Sequence, residues 1–354
     1  LDALLGEGDE AVRGLEPEIL APPGDSRAGL DLSHIPVRRV GALGGHRWEQ
    51  LHLAAAARGS VLFCPANTAP LVALRGGQRT VVTLHSISFL ERPESYRWAF
   101  RRLYRLLAAR ALRRADAVIT VSRSERDLML ARFPQAAGRL HVIENGALPR
   151  AFAGELETPE KEVGPVCGKG SRHALFVGSL TPGKNLEGLL EALTLVNRKA
   201  PLDLRVVGSA GRGLSAAATP VPGAIRERVR FEGQVNDSAR LVRFYRQATC
   251  LVHPSLYESS GLPPLEAMAC GCPVIVSRLA ALEDRCGDAA LYCDPGAPRD
   301  LAARIEELLG DGDLRAELIS RGRARAAALR WTTTVRETLH VIRNVVGSST
   351  PRQA

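Results

Sequence analysis

A chain of 354 residues is longer than one hydrophobic core usually supports, and its 45% hydrophobic and 24% charged residues exclude a disordered or fibrous protein. This length predicts two domains. No stretch approaches the roughly 18 consecutive apolar residues that a membrane span requires, so the sequence predicts a cytoplasmic protein. The net charge of +9 indicates an anionic partner, which charge alone does not identify as a nucleotide, a phospholipid surface or a nucleic acid.

Short apolar runs alternate with helical patterns along the chain. Strands are predicted first at Glu18–Ala21, Val61–Cys64, Thr80–Leu84, Ala117–Val121 and Leu140–Ile143. The alternation pauses from about Pro149 to Arg172 and then restarts, with strands at Ala174–Val177, Leu204–Val207, Arg228–Phe231, Cys250–Val252 and Val274–Val276. This order predicts an α/β protein with two doubly wound parallel sheets.

The pause and the restart define the predicted domains. Residues 1–150 form the first Rossmann-like domain, 151–172 a linker, and 173–330 the second Rossmann-like domain. Residues 331–354 are predicted to be a helix that returns to the first domain, followed by a tail.

Seven cysteines are present, an odd number without a CxxC spacing. Most of them lie in apolar runs, so we expect buried free thiols and neither disulfides nor a zinc site.

The densest signal is a loop and helix that begin at Tyr257. Glu258 is followed by Ser259, Ser260, Gly261 and Leu262, and the helix then starts with two prolines. Such a helix start directs unpaired amides and the positive end of the helix dipole at a ligand, which suits a diphosphate.

Glu266 lies in this helix, eight positions after Glu258. The pair resembles the signature of the retaining glycosyltransferases of family 4, in which two glutamates are separated by seven residues. The resemblance covers nearly the whole chain. It implies the GT-B fold, in which two Rossmann-like domains face a cleft. It also implies that Glu258 contacts hydroxyls of the donor sugar and that Glu266 binds the ribose. The alternative is that both glutamates are merely solvated.

A second loop contains Lys184, one of only four lysines among the 47 basic residues. It follows the strand that ends at Val177 and includes Gly178 and Ser179. A lysine here can stabilise a departing diphosphate, and the family places one at this position. The family usually also has an arginine where Ser179 or Gly183 stands, which this chain lacks. Otherwise Lys184 is a surface turn residue.

His85 follows the predicted strand Thr80–Leu84, at the strand end where ligands of parallel sheets bind. The resemblance implies that His85 contacts the donor sugar, and a purely structural histidine is the alternative. Weaker similarities to family loops fall at Asn67, Ser122 and Asn145. Gly208 and the loop with Val235 resemble the segments that bind the nucleotide base of the donor in this family. The family's glycine-rich loop after its first strand is not visible, and we expect it upstream of Leu1.

The resemblance implies a metal-independent hexosyltransferase that needs no cofactor and retains the anomeric configuration. Its donor would be a nucleotide diphosphate sugar, GDP-mannose first and a UDP-hexose second, and its acceptor a glycan, a lipid-linked saccharide or a small molecule. Two alternatives stay open: a sugar-nucleotide epimerase or hydrolase of similar fold, and a non-catalytic subunit. Asp311 and Asp313 have the spacing of a metal-binding DxD motif, but we do not interpret them as a metal site, because they flank a turn between two helices.

The segment Tyr96–Arg114 combines seven arginines with apolar residues in a helical pattern. It predicts either peripheral contact with an anionic membrane, on its cytoplasmic face, or an ordinary surface helix. Nucleic-acid binding is disfavoured, because the chain has only 5% aromatic residues and no basic groove interleaved with them.

Overall fold

A computed structural model describes residues 9–24, 33–75, 77–157, 172–209 and 219–347. The chain forms two compact units. The first contains the described residues of Leu1–Ile87, Arg102–Glu144 and Thr332–Ala354, and the second those of Ser88–Arg101 and Asn145–Trp331.

The strands and helices follow the alternation that the sequence predicts. The strands are β1 (Ile19–Ala21), β2 (Val37–Arg39), β3 (Leu62–Cys64), β4 (Thr80–Thr83), β5 (Ala117–Thr120), β6 (Leu140–Val142), β7 (His173–Val177), β8 (Asp203–Val207), β9 (Val229–Gly233), β10 (Cys250–His253), β11 (Val274–Ser277) and β12 (Ala290–Cys293). The helices are α1 (Gly45–Trp48), α2 (Ala54–Ala56), α3 (Ser88–Glu91), α4 (Trp98–Arg114), α5 (Arg123–Arg132), α6 (Arg150–Glu157), α7 (Leu186–Val196), α8 (Ser238–Gln247), α9 (Leu262–Ala269), α10 (Ala280–Cys286), α11 (Pro298–Gly310), α12 (Gly312–Ala328) and α13 (Trp331–Gly347).

The first unit is built on a parallel sheet of four strands in the order β3-β4-β5-β6, and β1 pairs with β2 separately. Its core includes the buried face of the final helix. Val341 and Val345 of α13 pack against Val81 of β4 and Ala117 of β5. The last long helix of the chain therefore contributes to the core of the first unit.

The second unit is built on a parallel sheet of six strands in the order β12-β11-β10-β7-β8-β9. The chain starts at the central strand β7, moves outward through β8 and β9, and then returns to β10 on the other side. This reversal between β7 and β10 is the topological switch point of a doubly wound fold. Helices pack on the sheet in two apolar clusters, one around Leu189 and Leu193 and the other around Leu265 and Met268.

The predicted linker needs a correction at its start. The structure has helix α6 there, in which Phe152 is buried and its ring lies 6.4 Å from that of Tyr245. Phe152 and Leu156 lie one helical turn apart, and this short apolar pair is hard to recognise beside a run of Gly, Pro and Glu. Residues 158–171 of the predicted linker lie outside the described residues.

The cysteines of the described residues are all free and buried, as the sequence predicts. Cys167 lies outside the described residues. Asp311 accepts a hydrogen bond from Leu314 N and caps α12.

Candidate active site

Two loops leave the carboxyl ends of β7 and β10, the neighbouring strands at the switch point of the second sheet. The first loop contains Gly178, Ser179 and Lys184, and the second contains Glu258. Ligands of open parallel sheets bind at this place, since no helix covers the point where the chain reverses. The fold alone therefore brings the two predicted loops together.

Asn185 fixes the first loop. Its backbone is left-handed, with φ at 56°, and its side chain accepts a hydrogen bond from Gly188 N at the start of α7. The same side chain donates to the carbonyls of Pro254 and Pro295, so it also holds the second loop. The preceding turn, Pro182–Lys184, is a short 3-10 helix that ends at the lysine. The side chain of Lys184 is thereby held at the carboxyl edge of the sheet.

The second loop is tied directly to the first, because Leu256 N donates to Gly183 O at 2.9 Å. It ends at Gly261, whose φ of +60° starts helix α9. A Cβ at Gly261 would lie 2.9 Å from Leu282 Cδ2, so both the backbone and the space favour glycine. This turn places Glu258 beside the loop that holds Lys184.

Lys184 and Glu258 form an ion pair, with Nζ 2.7 Å from Oε2. His253, the last residue of β10, lies 2.7 Å from the same oxygen through its Nε2 atom. Burial by itself would raise the pKa of Glu258, but the charge of Lys184 and the hydrogen bond of His253 outweigh burial and hold the pKa well below its usual range. Glu258 is therefore a carboxylate at neutral pH.

The start of α9 offers fewer free amides than the sequence suggests. Pro263 and Pro264 have no N–H, and the amide of Ser259 donates to Glu258 Oε1 at 3.1 Å. The prediction of several unpaired amides was wrong in this respect. Among the described residues, Gly261 and Leu262 contribute the amides at this helix start, together with the positive end of the helix dipole.

Glu266 lies in the middle of α9, where it is partly buried. Its Oε2 accepts a hydrogen bond of 2.8 Å from the hydroxyl of Tyr245 on α8. Burial raises the pKa of Glu266, and the hydrogen bond of Tyr245 offsets only part of this effect. Tyr245 itself is fully buried, and burial raises its pKa well above the usual value. The second glutamate is thus held on one carboxylate oxygen by a buried neutral donor.

The ends of β7 and β8 approach each other closely. Gly208 has a φ of +144°, and a Cβ there would lie 1.8 Å from the carbonyl oxygen of Gly178. The aliphatic part of Lys184 runs past Gly178, because a Cβ at this glycine would lie 3.9 Å from Lys184 Cδ. Ser179 lies in the same loop, and its Oγ is 3.4 Å from the hydroxyl of Thr181. Val235 follows β9 and packs against the core around Leu265.

His85 lies in the first unit, after strand β4. Its backbone amide donates to Asn67 Oδ1 at 2.7 Å, and its Nε2 lies 2.7 Å from the carbonyl oxygen of Pro65. Since that carbonyl accepts only, Nε2 is the donor in this hydrogen bond. Asn67 is one of the two non-glycine residues with positive φ in the described part of the chain. Ser122, which the sequence also singled out, caps α5 by accepting from Glu125 N.

The sequence interpretation missed three buried residues next to the predicted site: His253, Tyr245 and Arg285. Arg285 is fully buried and donates to the carbonyls of Ser260 and Asn145, while Asn145 Nδ2 donates to Ser260 Oγ. A polar residue at the carboxyl end of a buried strand was a usable signal for His253. Tyr245 and Arg285 give no such signal, because each lies in a helix beside charged and polar residues that are typical of a solvated helix face.

Two general properties of the described residues bear on the function. No group of three or more His, Cys, Asp or Glu in this part of the chain could hold a metal ion. A membrane-spanning helix is likewise missing from it, since each helix is too short or too polar.

Family models match both halves of the chain. Residues 11–147 match "Glycosyltransferase Family 4", and residues 171–311 match "Glycosyl transferases group 1". The chain is 31% identical over 270 residues to O-antigen chain mannosyltransferase B of Escherichia coli, covering 74% of this chain and 70% of that protein. The chain belongs to glycosyltransferase family 4. It is therefore a glycosyltransferase, as the resemblance around Glu258 and Glu266 implies.

Solved structures confirm the GT-B fold. Sucrose-phosphate synthase of Thermosynechococcus elongatus superposes with a TM-score of 0.71 at 23% identity, over 96% of this chain and 91% of the other. Anabaena HepE, solved in complex with UDP and glucose, superposes with a TM-score of 0.68 at 21% identity, over 93% and 92% of the two chains. At this identity the superpositions establish the fold of this glycosyltransferase and nothing about its substrates.

Proposed function

We propose that this family 4 glycosyltransferase transfers a mannose from GDP-mannose to a saccharide or lipid-linked acceptor, in the cytoplasm and with retention of the anomeric configuration. A UDP-hexose is the second candidate donor. The ion pair between Lys184 and Glu258 at the switch point carries this proposal, because a cation suited to binding a diphosphate lies beside a carboxylate suited to binding sugar hydroxyls. The similarity to an Escherichia coli mannosyltransferase favours GDP-mannose, and UDP in Anabaena HepE is the reason to keep the second candidate.

In the proposed reaction the bond between the anomeric carbon and the β-phosphate oxygen breaks. The acceptor hydroxyl attacks the same face of the sugar, and its proton passes to an oxygen of the departing phosphate. Lys184 and the amides of Gly261 and Leu262 stabilise the charge that develops on this leaving group, so the reaction requires neither a metal nor a cofactor. Glu258 and His85 bind hydroxyls of the sugar, and Glu266 binds those of the ribose. The phosphates of the donor lie against two loops, one with Gly178 and Ser179 and the other with Ser259 and Ser260. The nucleotide base of the donor lies beside Gly208 and Val235.

A thermal-shift panel tests the donor. We expect GDP-mannose to raise the melting temperature more than UDP-glucose, UDP-galactose or UDP-N-acetylglucosamine, since a ligand at 100 times its Kd stabilises the native state by about 2.7 kcal/mol. Transfer to methyl α-mannopyranoside should persist in EDTA. The C1–H1 coupling constant of the product should show the same anomeric configuration as the donor.

Different outcomes of these assays would support the two alternatives. Conversion of UDP-N-acetylglucosamine without any acceptor would support an epimerase or hydrolase. Donor binding without transfer or hydrolysis, over a range of saccharide acceptors, would support a non-catalytic subunit. Loss of transfer in EDTA, restored by a divalent cation, would contradict metal independence.

The helix α4 supports peripheral contact with an anionic membrane. Only four residues of this helix are buried, Leu107, Ala108, Ala111 and Leu112, and they form one apolar stripe. Trp98, Leu103 and Leu106 are instead 70%, 39% and 44% exposed. Six arginines of the same helix are also exposed, namely Arg101, Arg102, Arg105, Arg110, Arg113 and Arg114. Exposed apolar side chains among cations fit a surface of anionic lipid, which would hold a lipid-linked acceptor nearby.

Co-sedimentation with vesicles tests the membrane contact. Binding should require phosphatidylglycerol, should weaken with added salt, and should fall at least several-fold in Trp98→Ala and in Arg105→Glu/Arg110→Glu. Arg226→Glu/Arg299→Glu is the matched control, because it makes the same change in charge at exposed residues of other elements. Equal loss in both double variants would show that net charge alone is responsible.

A further inference from the structure

His253 is buried at the floor of the candidate site. It ends strand β10 and is only 1% exposed. Its Nε2 atom lies 2.7 Å from Glu258 Oε2 and 3.1 Å from the hydroxyl oxygen of Ser255. Glu258 Oε2 therefore has two donors, Lys184 from the loop after β7 and His253 from the strand below.

The surroundings of His253 select one form of its ring. The Nδ1 atom is buried and has no hydrogen-bond partner. A protonated ring would leave an N–H without a partner in the interior, which costs more than an unpaired acceptor. A neutral ring with its proton on Nδ1 would instead turn the lone pair of Nε2 toward a carboxylate. The neutral ring with its proton on Nε2 avoids both penalties and donates to Glu258.

The charged and titratable groups around this ring agree with that form. Glu258 faces Nε2, and Lys184 contacts the same carboxylate oxygen. The charge of Glu258 also contributes to raising the pKa of Cys286 on α10. Burial lowers the pKa of His253, the charge of Lys184 adds to this, and Glu258 opposes it only in part. The ring therefore adds a hydrogen bond to the site without adding a charge.

The two donors to Glu258 differ in whether they can leave the carboxylate when a diphosphate binds. Lys184 is a flexible cation that is partly exposed, so a diphosphate can draw it away from the carboxylate. His253 is fixed in the strand and is buried. Its hydrogen bond to Glu258 does not depend on the position of Lys184.

We propose that His253 is a neutral positioning residue that holds Glu258 in place while Lys184 turns to the diphosphate of the donor. This inference rests on the proposed role of Glu258 in binding the donor sugar. Glu258 then keeps one fixed hydrogen bond through the reaction, and Lys184 is free to act on the leaving group.

Nitrogen-15 NMR of histidine side chains tests the form of the ring without any assay of activity. The signals of His253, assigned by their loss in His253→Gln, should show the neutral tautomer with the proton on Nε2 from about pH 5 to 8. Titration of this ring to the cation within that range would overturn the proposal. So would the tautomer with the proton on Nδ1.

Two substitutions test the positioning role. His253→Leu removes the donor, so we expect kcat to fall by about 10- to 100-fold with little change in the donor KM. Removing a hydrogen bond from a carboxylate raises its pKa, so the acidic limb of kcat/KM should move up by about one pH unit. His253→Gln restores a neutral N–H near the position of Nε2 and should recover most of kcat and the original acidic limb.

His173 provides the matched control. It is also 1% exposed in the same sheet, but it lies at the amino end of β7, away from the loops of the site. His173→Leu should lower the melting temperature without moving the acidic limb. Equal kcat and pH profiles in His253→Leu, His253→Gln and the native protein would overturn the positioning role. If the native protein neither binds nor turns over a donor, the proposed function fails, and the NMR result still decides the form of the ring.

Discussion

Lys184 and Glu258 are buried enough for each to depend on the other. The side chain of Glu258 is only 10% exposed, so removing Lys184 leaves a carboxylate without its main compensating charge. We expect Lys184→Met to lower kcat by about 100- to 1000-fold, because a cation at the leaving group is lost. We also expect it to lower the free energy of unfolding by roughly 3 kcal/mol. Donor turnover and urea denaturation measure the two effects.

The double variant Lys184→Met/Glu258→Gln separates stability from activity. It removes both charges and keeps the shape of the pair, so it should recover most of the stability and none of the activity. The pKa of Glu258 is held below its unfolded value of about 4.3, so its stabilising effect is complete above that value. This effect is lost as the pH falls through the folded pKa. Glu258→Gln should therefore flatten the acidic end of the stability profile, and an unchanged profile would contradict the ion pair.

Tyr245 holds the second glutamate in a simpler way. Tyr245→Phe removes one hydrogen bond to Glu266 and keeps the packing of the ring. If Glu266 binds the ribose, the loss affects ground state and transition state alike, so we expect the donor KM to rise about 5-fold with kcat nearly unchanged. Tyr292→Phe is the matched control, since the hydroxyl of Tyr292 donates to the carbonyl of Gly287 instead. A fall in kcat with constant KM would assign Tyr245 a different role.

The sequence identified the residues that have a recognisable spacing and missed those that act through a neighbour. Lys184 and Glu258 stand in loops after predicted strands, where parallel sheets bind ligands, so their convergence could be expected. His253 and Tyr245 contact them only because β10 ends, and α8 packs, at the right place. Such contacts depend on the packing of distant segments and leave no periodic signal. The family resemblance gave roles for Glu266 and His85 that the geometry alone does not test.

At the scale of elements, the long apolar runs were predicted well and the short ones were not. Five strands of the second sheet, β7 to β11, lie within a few residues of their predicted positions, because most of them are continuous apolar runs. The edge strand β12 of this sheet was not predicted. Strand β2 was missed, since it has only three residues, two of which are arginines. Helix α6 was missed because its apolar pair stands beside a run of turn-forming residues.

The close approach of β7 and β8 gives a test at this scale. Gly208→Ala would place a Cβ 1.8 Å from the carbonyl of Gly178, and its φ of +144° is a conformation that alanine rarely adopts. The strand ends must move apart, so we expect a loss of about 3 kcal/mol in urea denaturation and no thermal shift with the donor. Gly138→Ala is the control, because a Cβ there meets nothing within 4 Å. Equal stability of the two variants would show that the strand ends adjust without cost.

At the scale of the whole molecule, the fold class and the two Rossmann-like sheets followed from the alternation of strand and helix. The order of strands within each sheet could not be predicted, because periodicity shows which residues are buried and not which strands pair. The reversal between β7 and β10 is thus a property of the structure. It explains why loops 74 residues apart in the chain, those of Lys184 and Glu258, share one hydrogen bond.

The thiols report on the integrity of both units at once. Burial raises the pKa of Cys64 in the first unit to about 12, and does the same for Cys250, Cys270, Cys286 and Cys293 in the second. Since the thiolate is the reactive form, we expect these cysteines and Cys272 to resist dithionitrobenzoate in the native protein at pH 8. All seven cysteines of the chain should react in guanidinium chloride. Fast reaction of two or more thiols in the native protein would show that at least one of these buried positions opens to solvent.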